Sequence, residues 1–208
     1  VDFSHQRLAG ASFRGLNLAR CKFIQAQLNE ADFSDCNLQH CDFTAAMLDN
    51  AAFQQVDASN ASFTAAQMAE VDFNAANLEH SNFVQAKIPQ ANFRDANLNG
   101  ANLQQVTANL AQFRGAQMEN TNLSSSDFTQ AVFREANLRN ANFSDSNMVQ
   151  AHFKDAVLSH VDLNSADFSQ ALDISADIQA QFMQVERAKL HNEMQKLEQI
   201  RGELEQRE

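Results

Sequence analysis

Large apolar side chains return at every fifth residue. They stand at numbers ending in 3 or 8, as Phe3, Leu8, Phe13, Leu18, Phe23, Leu28, Phe33, Leu38 and Phe43, and the pattern runs on through Phe93, Leu98, Phe133, Phe143 and Phe153 to Phe168. Every phenylalanine except Phe182 keeps this register. Two residues earlier, at numbers ending in 1 or 6, stand small residues: Ala11, Cys21, Ala26, Ala31, Cys36, Cys41 and so on to Ala171. No insertion breaks the count. A period of five is neither the 3.6 of a helix nor the 2 of a strand. Three extended residues followed by a two-residue turn can build it. Alternation then points the small and the large residue inward and the residue between them outward.

The turn places support this reading. Gly10, Gly15, Gly100 and Gly115 all occupy the last place of the unit, where a positive φ suits glycine best. Pro89 occupies the other turn place, where its fixed φ does least harm. From Phe3 to Phe53 the large residue alternates Phe and Leu, so like residues stack only if a coil has an even number of sides. Two sides leave no room for turns. Four sides and about 20 residues per coil are therefore expected, with about eight to nine coils over residues 1–172. At the ~4.8 Å strand spacing the coils stack to roughly 40 Å. Outward residues then form columns, such as Asn17, Asn37, Asp57, Asn77, Asn97, Gln117 and Asn137, whose amides can bond along the stack. Ala58 and Ala108 interrupt the large places, and Val56 and Val106 beside them compensate in volume. Leu110 falls at a turn place and is expected to be exposed.

The stretch Ala91 to Leu103 reads A-N-F-R-D, A-N-L-N-G, A-N-L. It resembles the unit A-(D/N)-(L/F)-(S/T/N)-x of the pentapeptide-repeat family. The resemblance spans roughly residues 1–172 and implies an all-β solenoid, a right-handed four-sided parallel β-helix. Some members of that family bind DNA gyrase by resembling a DNA duplex, so a protein partner of that kind is implied here.

The register fails at Asp173, a charge at a place that should be buried. A solenoid end needs a cap, and Ile174, Ile178 and Phe182 are expected to supply it. Residues 173–208 thus form a second segment. Met183, Leu190, Leu197 and Leu204 are spaced by sevens, and Met194 and Ile200 widen the stripe. The spacing predicts an amphipathic α-helix of about 25 to 30 residues. It packs either along its own solenoid or against a second copy as a homodimer.

The chain has 208 residues, a net charge of −11, 17 Phe and neither Trp nor Tyr. No apolar run is long enough to span a membrane, and no signal peptide is visible. The reading is a cytoplasmic protein, although Val1 opens in mid-register, as a trimmed start or a piece of a longer protein would. Cys21, Cys36 and Cys41 all fall at inward small places, where Cys replaces Ala in a tight core. No catalytic grouping emerges. His40 and His80 share a column but lie two coils apart, too far to share a metal. No enzyme activity, metal or cofactor is expected.

Two outward groups are candidates for binding a partner. Arg94, Arg114, Arg134 and Lys154 stack at one turn place, beside Asp95, Glu135 and Asp155. Acidic residues favour the first part of the chain, among them Asp32, Asp35, Asp42 and Asp72. Residues 1–172 hold 18 acidic and 10 basic residues, a net of −8. Duplex DNA would carry about 24 negative charges over the same length, so likeness to DNA is partial and local. The overall negative charge disfavours direct nucleic-acid binding. A non-enzymatic scaffold presenting flat walls to a protein is the leading expectation, and a gyrase-binding DNA mimic the second.

Overall fold

The computed structural model describes residues 1–205 and forms two compact units, Val1–Asp173 and Ile174–Glu208. The first is a right-handed, four-sided parallel β-helix. Every β-bridge is parallel and joins residues 20 apart, from Asp2↔Lys22 to His152↔Leu172. The sides are so short that each coil gives each wall one bridged residue. Three walls have nine such rungs and the fourth has eight. The first wall is centred on Asp2 to Asp162, the second on Arg7 to Asp167, the third on Ser12 to Leu172 and the fourth on Asn17 to Val157.

The five places of the unit are numbered here from the small inward residue. Places one and three point into the bore. Phe33, Leu38, Phe43, Phe93, Leu98, Phe133 and Phe143 have no exposed surface, and Phe3 on the first coil is half-buried. Rings stack along the axis, for example Phe13–Phe33 at 4.7 Å and Phe133–Phe153 at 5.3 Å. Rings on opposite sides meet edge to face, as Phe33 and Phe43 do at 5.5 Å. Both arrangements suit the ring quadrupoles. Ala58, Val56, Ala108 and Val106 are all buried, as the volume compensation predicts. Polar residues at place one stay satisfied. The Cys36, Cys41, Thr121, Ser126 and Ser146 side chains donate to a place-three carbonyl 23 residues earlier, at 2.7 to 3.0 Å. Burial raises the Cys41 thiol to about 12, so it packs as a small hydrophobe.

The corners explain the rest of the unit. Place five has positive φ throughout, from Gln25 at 54° to Gly15 at 70°. The place-one N–H that follows donates to the place-three carbonyl, as from Ala11 to Leu8 at 3.0 Å. A positive φ at the third residue of such a turn is the type II pattern, and Pro89 sits at its favoured second residue. The left-handed conformation costs about 1–2 kcal/mol for a residue with a side chain. It persists because the place-five N–H donates to a carbonyl of the next coil, as Gln25 does to Thr44 at 2.9 Å.

Following every main-chain donor isolates one amide. Place-two and place-three N–H groups bond between coils, and place-one and place-five groups are used as above. Among the described coils, place four is the one place whose N–H never finds a main-chain acceptor. The Asn or Asp at place two supplies it, its Oδ1 accepting from the amide two residues on: Asp32 from Ser34 at 2.9 Å, Asp72 from Asn74 at 2.9 Å, Asn142 from Ser144 at 2.9 Å. The preference for Asn or Asp thus follows from one orphan donor per corner. Pro89 is the corollary: it has no N–H, and the place-two residue before it is Lys87, which has no acceptor to offer.

The second unit contains one helix, α1 (Ala176–Glu205). Its sequence has no Pro and is rich in Gln, Glu, Lys and Leu, all good helix formers. No helix among the described residues is long and apolar enough to cross a membrane.

Candidate partner-binding surface

The third wall carries most of the candidate residues. Its place-two column reads Ser12, Asp32, Ala52, Asp72, Asn92, Gln112, Val132, His152, Leu172. Along the corner that follows run Arg14, Ser34, Gln54, Asn74, Arg94, Arg114, Arg134 and Lys154 at place four, with Asp35, Asp95, Glu135 and Asp155 among place five. Asp32, Asp35 and Asp72 therefore share a wall with the cationic column, whereas Asp42 belongs to the first wall.

The first half of this wall is tied together by side-chain hydrogen bonds, although the Arg14 and Gln54 amides, behind Ser12 and Ala52, find no acceptor among the described residues. Arg14 pairs with Asp35 at 2.8 Å. The Ser34 hydroxyl donates to Gln54 Oε1 at 2.7 Å, and Gln54 Nε2 donates to Asp72 Oδ2 at 2.7 Å. Asn92 Nδ2 adds a bond to Asp72 Oδ1 at 2.8 Å. The Ser34 side chain and amide beside Asp32 hold its carboxyl below its ordinary range.

The second half is built differently. Gln112 turns away and donates to the Leu110 carbonyl at 2.9 Å. Val132 and Leu172 are apolar, and Leu172 and Leu110 are exposed. With Gln112, Val132 and His152 at place two, the Arg114, Arg134 and Lys154 amides lose their usual acceptor. Among the described residues these three N–H groups make no hydrogen bond. Arg114 pairs with Glu135 at 3.1 Å. Arg94, Arg134 and Lys154 form no ion pair among the described residues, and Arg134 Nε is buried without a partner. On the opposite corner Gln130, Gln150 and Gln170 form an amide ladder with bonds of 2.8 Å. A shallow groove results, floored by Gln112, Val132, His152 and Leu172 and edged by Leu110 and the glutamines.

The residues of this floor are missed when the sequence is read for motifs. The signal was nevertheless present: numbers 112, 132, 152 and 172 are one column, and none is Asn or Asp. Asn77 Nδ2 and Asn97 Nδ2 do bond along the fourth wall, to Asp57 at 3.0 Å and Asn77 at 3.1 Å. Asn82, Asn102, Asn122 and Asn142 instead accept from their own corners.

On α1, Met183, Leu190, Met194, Leu197 and Ile200 are all exposed, Leu197 by 67%. The side chains of Phe182 and Leu204, read as a cap and as part of the apolar stripe, lie outside the described residues. No group of three His, Cys, Asp or Glu among the described residues could hold a metal ion. The cysteines are free and buried.

Comparison with known proteins bears on the fold. The family model described as "Pentapeptide repeat region" matches residues 39–113, and that described as "Pentapeptide repeats (8 copies)" matches 1–35, 111–148 and 136–172. A trypsin-treated variant of QnrB1, a plasmid-mediated fluoroquinolone resistance protein, superposes with a TM-score of 0.75 at 16% identity, covering 88% of this chain and 91% of that one. A second trypsin-treated QnrB1 variant gives 0.61 at 20% identity, covering 88% and 92%. HetL, a pentapeptide repeat protein involved in heterocyst differentiation regulation in Nostoc sp. strain PCC 7120, gives 0.47 at 22% identity, covering 80% and 86%. Comparison with curated proteins finds no match. Two family models that between them follow the coils almost from end to end make the chain a member of the pentapeptide-repeat family.

Proposed function

We propose that this protein is a non-enzymatic scaffold that offers the flat walls of its β-helix to a protein partner. The third wall carries this reading. It sets Arg94, Arg114, Arg134 and Lys154 in a column, one per coil, beside a shallow and partly apolar floor that does not enclose a small substrate. Ser and Thr hydroxyls elsewhere on the walls serve corner bonds, as Thr129 does to Asp127 at 2.6 Å. On α1, the exposed Met183, Leu190, Met194 and Leu197 are assigned to homodimerisation. Light scattering on the full chain tests that role: Leu190→Glu with Leu197→Glu should halve the mass, and an unchanged mass removes it.

A second reading has its own support. The fold is shared with a fluoroquinolone resistance protein, and Asp32, Asp35, Asp42 and Asp72 lie in the more acidic first part of the helix. In that reading the acidic walls imitate the charge of duplex DNA toward gyrase. A supercoiling assay with gyrase, with and without a fluoroquinolone, separates the two. The scaffold reading expects no effect at micromolar protein. Protection of gyrase that Asp32→Asn and Asp72→Asn abolish would replace it with the mimic.

A further inference from the structure

We infer that the second half of the third wall is a docking strip for an acidic amphipathic helix of a partner protein. The inference rests on the scaffold reading and names the chemistry of its partner. Where Asn or Asp stands at place two it accepts from the place-four amide, which therefore points to the outer face of the wall; behind other residues, as at Arg14, Asn29, Asp49 and Gln54, that amide is open too. Gln112, Val132 and His152 leave three successive amides without that acceptor, at Arg114, Arg134 and Lys154. Each of these three amides belongs to a cationic residue; Arg134 and Lys154 form no ion pair among the described residues, and Arg114 pairs with Glu135. An N–H and a cation side by side, repeated once per coil, form a row of carboxylate sites.

The spacing selects the occupant. Stacked rings on this wall's side of the bore lie 4.9 and 5.3 Å apart at Phe113–Phe133 and Phe133–Phe153. An α-helix rises about 5.4 Å per turn. A helix laid along the axis therefore brings one side chain per turn to each coil, and over three coils the mismatch stays small. An extended strand offers a same-face residue about every 6.8 Å and falls out of step. Glu or Asp at every third or fourth residue would meet the amides and cations of Arg114, Arg134 and Lys154. Apolar residues on the adjoining stripe would cover Val132 and Leu172. The Gln130–Gln150–Gln170 ladder, with its polar edge filled internally, borders the other side. The partner thus contributes the acceptors that this half of the wall omits.

The substitutions Gln112→Asn, Val132→Asn and His152→Asn test the inference without endangering the fold, because Asn is the usual residue at place two. The probe is a synthetic helical peptide with Glu and Leu on adjoining stripes, its control the same peptide with Lys for Glu. Binding to the full chain is followed by fluorescence anisotropy. The Glu peptide should bind and the Lys peptide should not, and the triple variant should bind the Glu peptide at least about tenfold more weakly. Equal affinity for the triple variant, or no binding of the Glu peptide, overturns the inference. So does tighter binding of polyphosphate than of the peptide, which would make the strip a polyanion site. Self-association of the wild type that the triple variant loses would make the occupant a second copy, and also overturns it. Failure of the titration removes this strip alone, whereas the scaffold reading falls only to the supercoiling result.

Discussion

The two halves of the third wall share one backbone and one kind of core, and differ in the outward residues at places two and four. In the first half Asp32, Asp72 and Asn92 fill the acceptor position while Ser12 and Ala52 do not, and side-chain bonds tie Ser34, Gln54 and Asn74 into a continuous net. In the second half Gln112, Val132 and His152 leave it empty, and polar groups stay available. The lesson is that a solenoid separates its tasks by place. Places one, three and five carry the fold, so place two can abandon its corner bond wherever a surface is needed. The loss of one neutral hydrogen bond per coil, roughly 1 kcal/mol, is small beside the burial of a phenylalanine.

The largest effects should ignore the comparison altogether. Phe33→Ala and Phe133→Ala each empty a fully buried place in the same Phe column, one in each half. Both should cost about 3–5 kcal/mol by chemical denaturation. A loss confined to one half would show that the halves differ in their cores as well, and the separation by place would fail.

Next in size is a change that only the first half should feel. Asp72 accepts from the Asn74 amide, Gln54 Nε2 and Asn92 Nδ2. Asp72→Ala leaves three donors without it and should cost about 1–3 kcal/mol. At the matching place in the second half, Val132→Ala strands no donor and should cost well under half as much. Equal costs would mean that the net contributes nothing.

What could be read from the sequence follows the same division. The fivefold register, the inward Phe and Leu, the corner Gly residues and the 20-residue coil follow from volume and chain direction, which a single sequence displays. The reason for Asn or Asp at place two is less visible. It depends on knowing which of five amides lacks an acceptor, and that emerges only when every intercoil bond is placed. Asn82, Asn102, Asn122 and Asn142 look like a ladder in sequence and are corner acceptors in the fold. Val132 looks like one apolar residue on a wall until the open Arg134 amide is seen beside it.

A smaller effect asks whether the acceptor or the position along the axis matters. Asp127 lies far along the second wall yet fills its place-two role. Burial pushes its carboxyl up, but the Thr129 hydroxyl and amide and the Asn109 side chain outweigh it and hold it below the ordinary 3.8. A lowered folded pKa gives stability that is present above 3.8 and lost as pH falls through the folded value. The thermal midpoint should therefore drop as pH falls below about 4. Asp127→Asn keeps the Oδ1 acceptor and removes the charge, so its drop should be shallower. An unchanged profile would place the acid sensitivity elsewhere.

The smallest effect is the most specific. Val132→Asn converts one rung of the second half to the chemistry of the first. Its Oδ1 can accept from the Arg134 amide, as Asn92 does from Arg94 at 3.2 Å. The apolar area lost is modest, because Val132 is only half-buried. The net expectation is a gain of about 0.5–1 kcal/mol, seen as a rise in thermal midpoint. A surface substitution that stabilises a protein by restoring its own repeat is evidence that the natural residue is kept for another reason. Destabilisation would mean that Val132 packs against its neighbours in a way that the open amide does not outweigh. The contrast between the two halves would then be one of packing, not of vacated hydrogen bonds.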